Sequence, residues 1–449
     1  MIYYLDRREV PDEDNIPPQV LTWLVRKAEA AQGRYDRLWR YYLGQHDVFR
    51  RRKREEEVPV AVNYAKYVVD TLVGYYLGSP VKYDGNPVDA AGKPTNLRLL
   101  QRLYDRMHAG EVDAAIGKTM GIMGECLEVC YSGEDGCPRA ARVDPRNGIL
   151  VCDTTVEHKK LFALIWERRE RPSGEKYYFV TVYTPRTIQD FISGDLTAEG
   201  FQPCGEPRDH WFGAVPVIAY TNNDERQGDF EQILSLIDAY DELMTSRLTD
   251  KKKFVDALLV FFGMTLAEGD EQRLAVEKFI DGAPLDARAE YIQKTFNESE
   301  VQVLADALVR EMHKMTFTVD MSDEQFAGNA SGQALKLKLL TMDLLAQNKM
   351  RRMERGLRER MELFVSYLRV MVPNVNLDCG EIDIVFTPDL PINEAERVDM
   401  VCRLKGMVDD QTLLSQLWFI RDPAEAVRNL RREQREKGEE NDGGRAQSA

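Results

Sequence analysis

The chain has 449 residues, enough for two or three structural units. It carries 60 Lys and Arg against 75 Asp and Glu, a net charge of −15, which argues against holding nucleic acid by bulk positive charge. No apolar run approaches the roughly 18 residues that cross a bilayer, and residues 1–13 lack an apolar signal core, so the expectation is a soluble cytosolic chain without membrane contact.

In chain order, Gln19 to Leu43 reads as a helix ended by Gly44. The charge block from Arg50 to Glu57 is basic and then acidic, and reads as a self-neutralising solvated face rather than a DNA patch. Val62 to Leu77 is a second helical stretch, and Leu97 to Met123 a third. From Glu125 the pattern changes to short strands separated by Gly, Pro and Asn turns. The candidates are Cys126–Tyr131, Ile149–Val151, Phe162–Glu167, Tyr177–Tyr183 and Val217–Tyr220.

The seven cysteines are odd in number and contain no CxxC pair, so no disulfide framework is expected. Cys126, Glu128 and Cys130 share one strand face, which reads as a strand with two free thiols in preference to a metal site. The histidines are scattered.

Beyond the β-rich unit, Asp229-x-x-Gln232 resembles a capping box opening a long helix, with apolar positions from Phe230 to Leu258. The run Lys251-Lys-Lys253 interrupts its stripe. Ser299-x-x-Gln302 reads as the cap of another helix, with stripe Val301, Leu304, Leu308, Met312 and Met315. A small-residue loop, Phe326 to Gly332, then precedes the longest periodic segment, Ser331 to Val372. Leu335, Leu339, Met342, Ala346, Met350, Met353, Leu357, Met361, Phe364, Leu368 and Met371 step by a mean of 3.6 residues. That is a helix of roughly 60 Å. The step is not the 3.5 of a coiled-coil scaffold. A strand over Glu381–Thr387 and two short helices follow, and the charged, Gly-rich tail from Arg431 is expected to be disordered. The fold class is α+β, mainly α.

Catalytic signatures fail on spacing. Gly117-Lys-Thr119 lacks the glycine a phosphate-binding loop requires at position 112, where Val stands, and it lies mid-helix. Glu381 and Asp383 alternate with Ile382 and Ile384 as in a half-buried strand. An ATPase or a nuclease would need one of these sets to be complete. No enzyme, cofactor or metal is expected.

Several segments, in order along nearly the whole chain, resemble the portal proteins of tailed double-stranded DNA bacteriophages, of the long-tailed siphophage type. They are Arg40–His46, Val62–Pro80, Asp144-Pro145, Tyr183-Thr184, Val215–Asn223 with Leu236–Asp241, Asn329–Leu335, Asp409–Leu417 and Asp422–Glu425. The resemblance implies a portal fold with wing, two-helix stem, clip, tunnel loop, long spine helix and helical crown. By position, residues 1–228 are N-terminal helices and wing, 229–262 the first stem helix, 263–298 the clip and 299–316 the second stem helix. Residues 317–331 are the tunnel loop, 332–372 the spine helix, 373–392 a strand returning to the wing, 393–430 the crown and 431–449 the tail.

It further implies a ring, commonly of twelve copies, at one capsid vertex of the virion, assembled in the host bacterial cytoplasm. Duplex DNA would pass through without sequence specificity. Terminase large subunit, scaffolding and major capsid proteins and a head-tail adaptor would be partners. Ser322, Gln325, Asn329 and Ser331 would face the DNA, with Phe326 packing between adjacent loops. Lys251, Lys252 and Lys253 either face the channel or pair with acidic neighbours. Lys336 and Lys338 either add positive charge near DNA, or lie on a solvent face or pair with another subunit.

Overall fold

A computed structural model describes all residues except 11, 13–14, 52–58, 87, 89–92, 198–199, 256–257, 263–287, 293–297, 321–331, 389–393, 416, 418–419, 421–422, 424–425, 431 and 433–449. Helix and strand are mixed, and about half of the chain is helical. The tail, most of the 50–57 charge block and the small-residue loop thus lie outside the described residues.

Strand β1 (Ile2–Leu5) leads into helices α1 (Pro18–Tyr42), α2 (Asp47–Arg51) and α3 (Tyr64–Leu77). Pro18 stands in the first turn of α1, where a missing N–H costs nothing. Asn63 caps α3 by accepting from the Lys66 amide at 3.0 Å. After β2 (Lys82–Gly85) come α4 (Leu97–Arg106) and α5 (Ala109–Met123). The single helix expected over Leu97–Met123 is therefore two. His108 takes a φ of 53°, which breaks the hydrogen-bond ladder. The break lets Leu100 and Tyr104 of α4 and Ile116 and Met120 of α5 enter one core.

The β-rich unit contains β3 (Glu125–Ser132), β4 (Pro138–Val143), β5 (Gly148–Asp153), β6 (Lys160–Glu170), β7 (Lys176–Tyr183), β8 (Thr187–Ser193), β9 (Gln202–Pro203), β10 (Arg208–Asp209) and β11 (Val217–Thr221). One sheet has the order β1-β5-β6-β7-β8-β10, with β9 on β8, and a second has the order β11-β3-β4. The five strands expected here are all present. Sequence reading missed β1, β2, β4 and β8 to β10. β1 is held by parallel pairing to β5, with Ile2 opposite Leu150, a partner that local pattern cannot reveal.

A 3₁₀ turn (Glu231–Ile233) precedes α6 (Leu234–Val255), and strands β12 (Leu258–Phe262) and β13 (Arg288–Ile292) pair before α7 (Glu298–Thr316). The helix expected over 229–262 thus stops at Val255. The apolar, aromatic Leu258–Phe262 takes the extended conformation such residues favour when a partner strand exists. Neither capping box forms: Asp229 is engaged by Lys349, and Ser299 lies inside the first turn of α7.

Helix α8 (Gly332–Met371) is 40 residues long. Of its expected stripe, Leu339, Met342, Ala346, Met353, Leu357, Met361, Phe364 and Leu368 are buried, whereas Met371 is exposed. β14 (Ile382–Val385) pairs with β2, so the strand expected there is shorter, and its Ile382 and Ile384 are buried. Helices α9 (Glu394–Leu404) and α10 (Asp410–Ser415) follow. The chain divides into two compact units, residues 1–320 with 341–388, and residues 321–340 with 389–449.

Candidate functional site

From residue 341 on, α8 is fixed to its surroundings by two buried cations. Arg360 is fully buried, and its Nη2 lies 2.7 Å from Asp113 Oδ1 of α5 and 2.7 Å from Glu128 Oε1 of β3. Its Nε donates to Glu128 Oε2 at 3.1 Å, and that oxygen also accepts from the Tyr220 hydroxyl of β11 at 2.7 Å. Burial holds both carboxyls above the ordinary carboxylate range, and the guanidinium offsets only part of that rise. Burial also opposes the charge on Arg360, but Asp113 and Glu128 outweigh it and hold the group protonated.

Eleven residues earlier, three helical turns away, Lys349 Nζ donates to Asp229 Oδ1 and Asn222 Oδ1, each at 2.5 Å. Between these clusters, Gly356 meets the face of Tyr220 so closely that an added Cβ would lie 2.1 Å from the ring. Sequence reading missed this arrangement. Its signal was a charge one position off the apolar stripe, Lys349 beside Met350 and Arg360 beside Met361.

A second cluster joins segments that carried the family resemblance. The Tyr41 hydroxyl donates to Asp238 of α6 at 2.8 Å. His46 is buried, with Nδ1 against Asp241 and Nε2 3.2 Å from the Tyr41 carbonyl. Asp241 also accepts from the Val62 amide at 2.9 Å, and Asn63 donates to the Tyr42 carbonyl at 2.9 Å. Residues from Arg40–His46, Val62–Pro80 and Leu236–Asp241 thus form one polar junction between α1, α3 and α6.

The tempting catalytic elements have structural roles. An added Cβ at Gly117 would come 2.5 Å from Leu77 Cδ1 and 2.8 Å from the Tyr76 hydroxyl, so this glycine allows α5 to approach α3. Lys118 lies over the Tyr42 ring at 4.8 Å. Cys126 and Cys130 are buried free thiols, and burial pushes both up, away from the thiolate form that binds metals. Among the described residues there is no cluster of three or more metal-binding side chains, and no helix long and apolar enough to cross a membrane.

Of the residues expected near DNA, Ser322, Gln325, Phe326, Asn329 and Ser331 lie outside the described residues, as do the side chains of Lys253, Lys336 and Lys338. Lys251 pairs with Glu298 of α7 at 3.3 Å, and Lys252 is exposed. Arg247 of α6 also pairs with Glu298 and bonds Gln302 at 3.0 Å, tying the two helices together. Helix α7 departs from its expected stripe. Met312 is buried, together with Ala305 and Thr316, while Leu304 and Met315 are exposed beside Val303 and Phe317.

The model of the family described as phage portal protein, SPP1 Gp6-like, matches residues 23–440. The chain belongs to that portal family. It is 23% identical over 424 residues to the portal protein of Bacillus phage SPP1, covering 88% of this chain and 82% of that protein. It is 20% identical over 419 residues to the portal protein of Clostridium phage phiCD119, covering 86% and 89%. A solved chain from the neck of an empty GTA particle, computed with C6 symmetry, aligns with a TM-score of 0.43 at 13% identity, over 79% of this chain and 90% of that one. That likeness is too loose to add to the family membership. Portal proteins are a structural family of phages, not enzymes, so the reading of this portal chain as non-catalytic stands on its membership.

Proposed function

We propose that copies of this chain form the portal ring at one vertex of a phage capsid. Double-stranded DNA enters through its channel during packaging and leaves by it during ejection. The observation that carries this reading is a family match spanning residues 23–440. Two features support it. The apolar side chains exposed on α7 suit a subunit completed by other copies. The net charge of −15 suits a wall that repels phosphate and lets a duplex slide.

In this reading α6 and α7 are the stem, residues 263–298 with the β12–β13 pair the clip, and 317–331 the tunnel loop. Helix α8 is the spine, residues 1–228 include the wing, and 393–430 are the crown. Ser322, Gln325, Asn329 and Ser331 make weak, water-mediated phosphate contacts, and Phe326 packs between neighbouring loops. Lys252, Lys253, Lys336 and Lys338 add modest positive charge, while the pairing of Lys251 with Glu298 leaves it little to offer DNA. Twelve copies make the ring. Terminase large subunit docks at the clip and supplies ATP hydrolysis, while scaffolding protein, major capsid protein and a head-tail adaptor meet other faces. The ring assembles in the host cytoplasm and stays in the virion.

Native mass spectrometry and negative-stain imaging of the purified chain test the reading. Rings with a central hole are expected, and a stable monomer with ATPase or nuclease activity would sink it. Deleting Gln325–Gly328 should leave rings intact but impair packaging or DNA retention. Loss of rings alone would make the loop a structural element.

A further inference from the structure

Helix α5 carries two glycines one turn apart, Gly117 and Gly121, and a buried polar atom lies over each. A Cβ added at Gly117 would come 2.8 Å from the Tyr76 hydroxyl of α3. One added at Gly121 would come 2.8 Å from Oδ2 of Asp229, in the segment that leads into α6. Asp229 is fixed in that place, because its amide donates to the Gly121 carbonyl at 2.7 Å. Positions four apart on a helix stand about 5–6 Å from each other at Cβ. The hydroxyl and the carboxylate oxygen are therefore neighbours over one face of α5.

Tyr76 is 1% exposed, and the Asp229 side chain 4%. Among the described residues, neither the Tyr76 hydroxyl nor Asp229 Oδ2 has a hydrogen-bond partner. The other carboxylate oxygen is occupied, since Oδ1 accepts from Lys349 and, at 2.8 Å, from Asn222 Nδ2. Burial and the nearby Asp229 charge raise the Tyr76 phenol above its ordinary range, so it keeps its proton and serves as a donor. An unmatched donor beside an unmatched acceptor, both out of reach of solvent, is the arrangement that an internal water satisfies.

We propose that one buried water sits over Gly117 and Gly121, accepting from the Tyr76 hydroxyl and donating to Asp229 Oδ2. Three features select water. The ligand must accept one bond and donate another, which neither a metal ion nor a simple anion does. Two bonds of about 2.8 Å meeting at one oxygen span roughly 5 Å, the spacing of neighbouring helical turns. A cation would also meet the Lys349 ammonium, which already answers the Asp229 charge. The water completes a buried chain from Tyr76 through Asp229 to Lys349 and Asn222. That chain ties α3 and the entry to α6 to the middle of α8, across the glycine face of α5. It gives Gly117, the glycine of the failed phosphate-loop match, and Gly121 a shared role, because a side chain at either would press on the two groups that hold the water.

The test is a crystal or cryo-electron-microscopy structure of the full chain at a resolution that shows ordered water. A solvent peak within about 3.2 Å of both Tyr76 Oη and Asp229 Oδ2 is expected. In Tyr76→Phe that peak should be lost while the Lys349–Asp229 pair stays in place. A direct bond between Tyr76 and Asp229, or no peak where other buried waters are visible, would overturn the proposal. So would a peak that survives unmoved in Tyr76→Phe. A peak closer than about 2.5 Å to Asp229 Oδ2 would overturn it too, since that is the distance of a metal ion. If Tyr76→Phe fails to fold, the map of the unaltered chain decides alone.

Discussion

The portion of α8 from residue 341 and the α6–α7 pair are both helical, and they are built in opposite ways. The first buries its apolar stripe and answers each internal charge with a carboxylate: Arg360 with Asp113 and Glu128, Lys349 with Asp229. The second is tied by charges nearer the surface, Arg247 and Lys251 with Glu298, and leaves Val303, Leu304 and Met315 uncovered. Buried ion pairs make the first a frame within the subunit, whereas solvent screens the charges that tie the second.

The comparison predicts a steep gradient of mutational cost. Arg360→Met should be the most damaging single change, because it strands two buried carboxylates. A loss of about 3–5 kcal/mol is expected in chemical denaturation. A cost below about 1 kcal/mol would mean that the cluster does not hold the frame. Lys349→Met strands a single carboxylate, Asp229, and should cost somewhat less, about 3 kcal/mol. Adding Asp229→Asn to that variant should recover part of the loss, and the double-mutant cycle measures the coupling. Gly356→Ala should cost ~1–3 kcal/mol through collision with Tyr220, despite the roughly 1 kcal/mol alanine gains in helix propensity.

A smaller effect is expected from acid. Burial lowers the pKa of His210 below its ordinary 6.5, against the pull of the Thr184 carbonyl. The folded state therefore prefers the neutral ring, whose Nδ1 accepts from the Phe212 amide. The stability this contributes is fully present above the ordinary value and is lost as pH falls through the folded one. Unfolding midpoints measured from pH 8 to pH 5 should fall, and His210→Gln should flatten part of that slope. An unchanged slope would place the acid sensitivity elsewhere. The smallest effect belongs to the α6–α7 side. Arg247→Ala should leave the unfolding midpoint of the single chain almost unmoved, since its partner Glu298 is solvent-exposed and screened. A large loss there would erase the contrast between frame and surface.

Much of this architecture was legible along the chain. The 3.6-residue step from Leu339 to Leu368 predicts α8 because helix periodicity is local and the buried face repeats it. Gly44 marks the end of α1 because caps act within one turn. Short strands such as β1 and β2 were not legible. Their backbone groups are satisfied by β5 and β14, and four residues carry too little pattern of their own. The break at His108 and the switch to strand at Leu258 escaped for the same reason, since each is decided by what the flanking segments pack against.

The candidate site divides along the same line. By itself the sequence determined the family, through ordered segments, and the long helix, through its period. It showed charges beside the apolar stripe at Lys349 and Arg360 without saying what they meet. Only the tertiary structure decided that Asp113, Glu128 and Asp229, more than a hundred residues away, are their partners. It also decided that Gly117 is a packing contact and that Tyr76 and Asp229 meet over one face of α5. Periodicity and capping depend on neighbours in the chain. Charge pairing, close approach and exposure depend on neighbours in space, which no local spacing encodes.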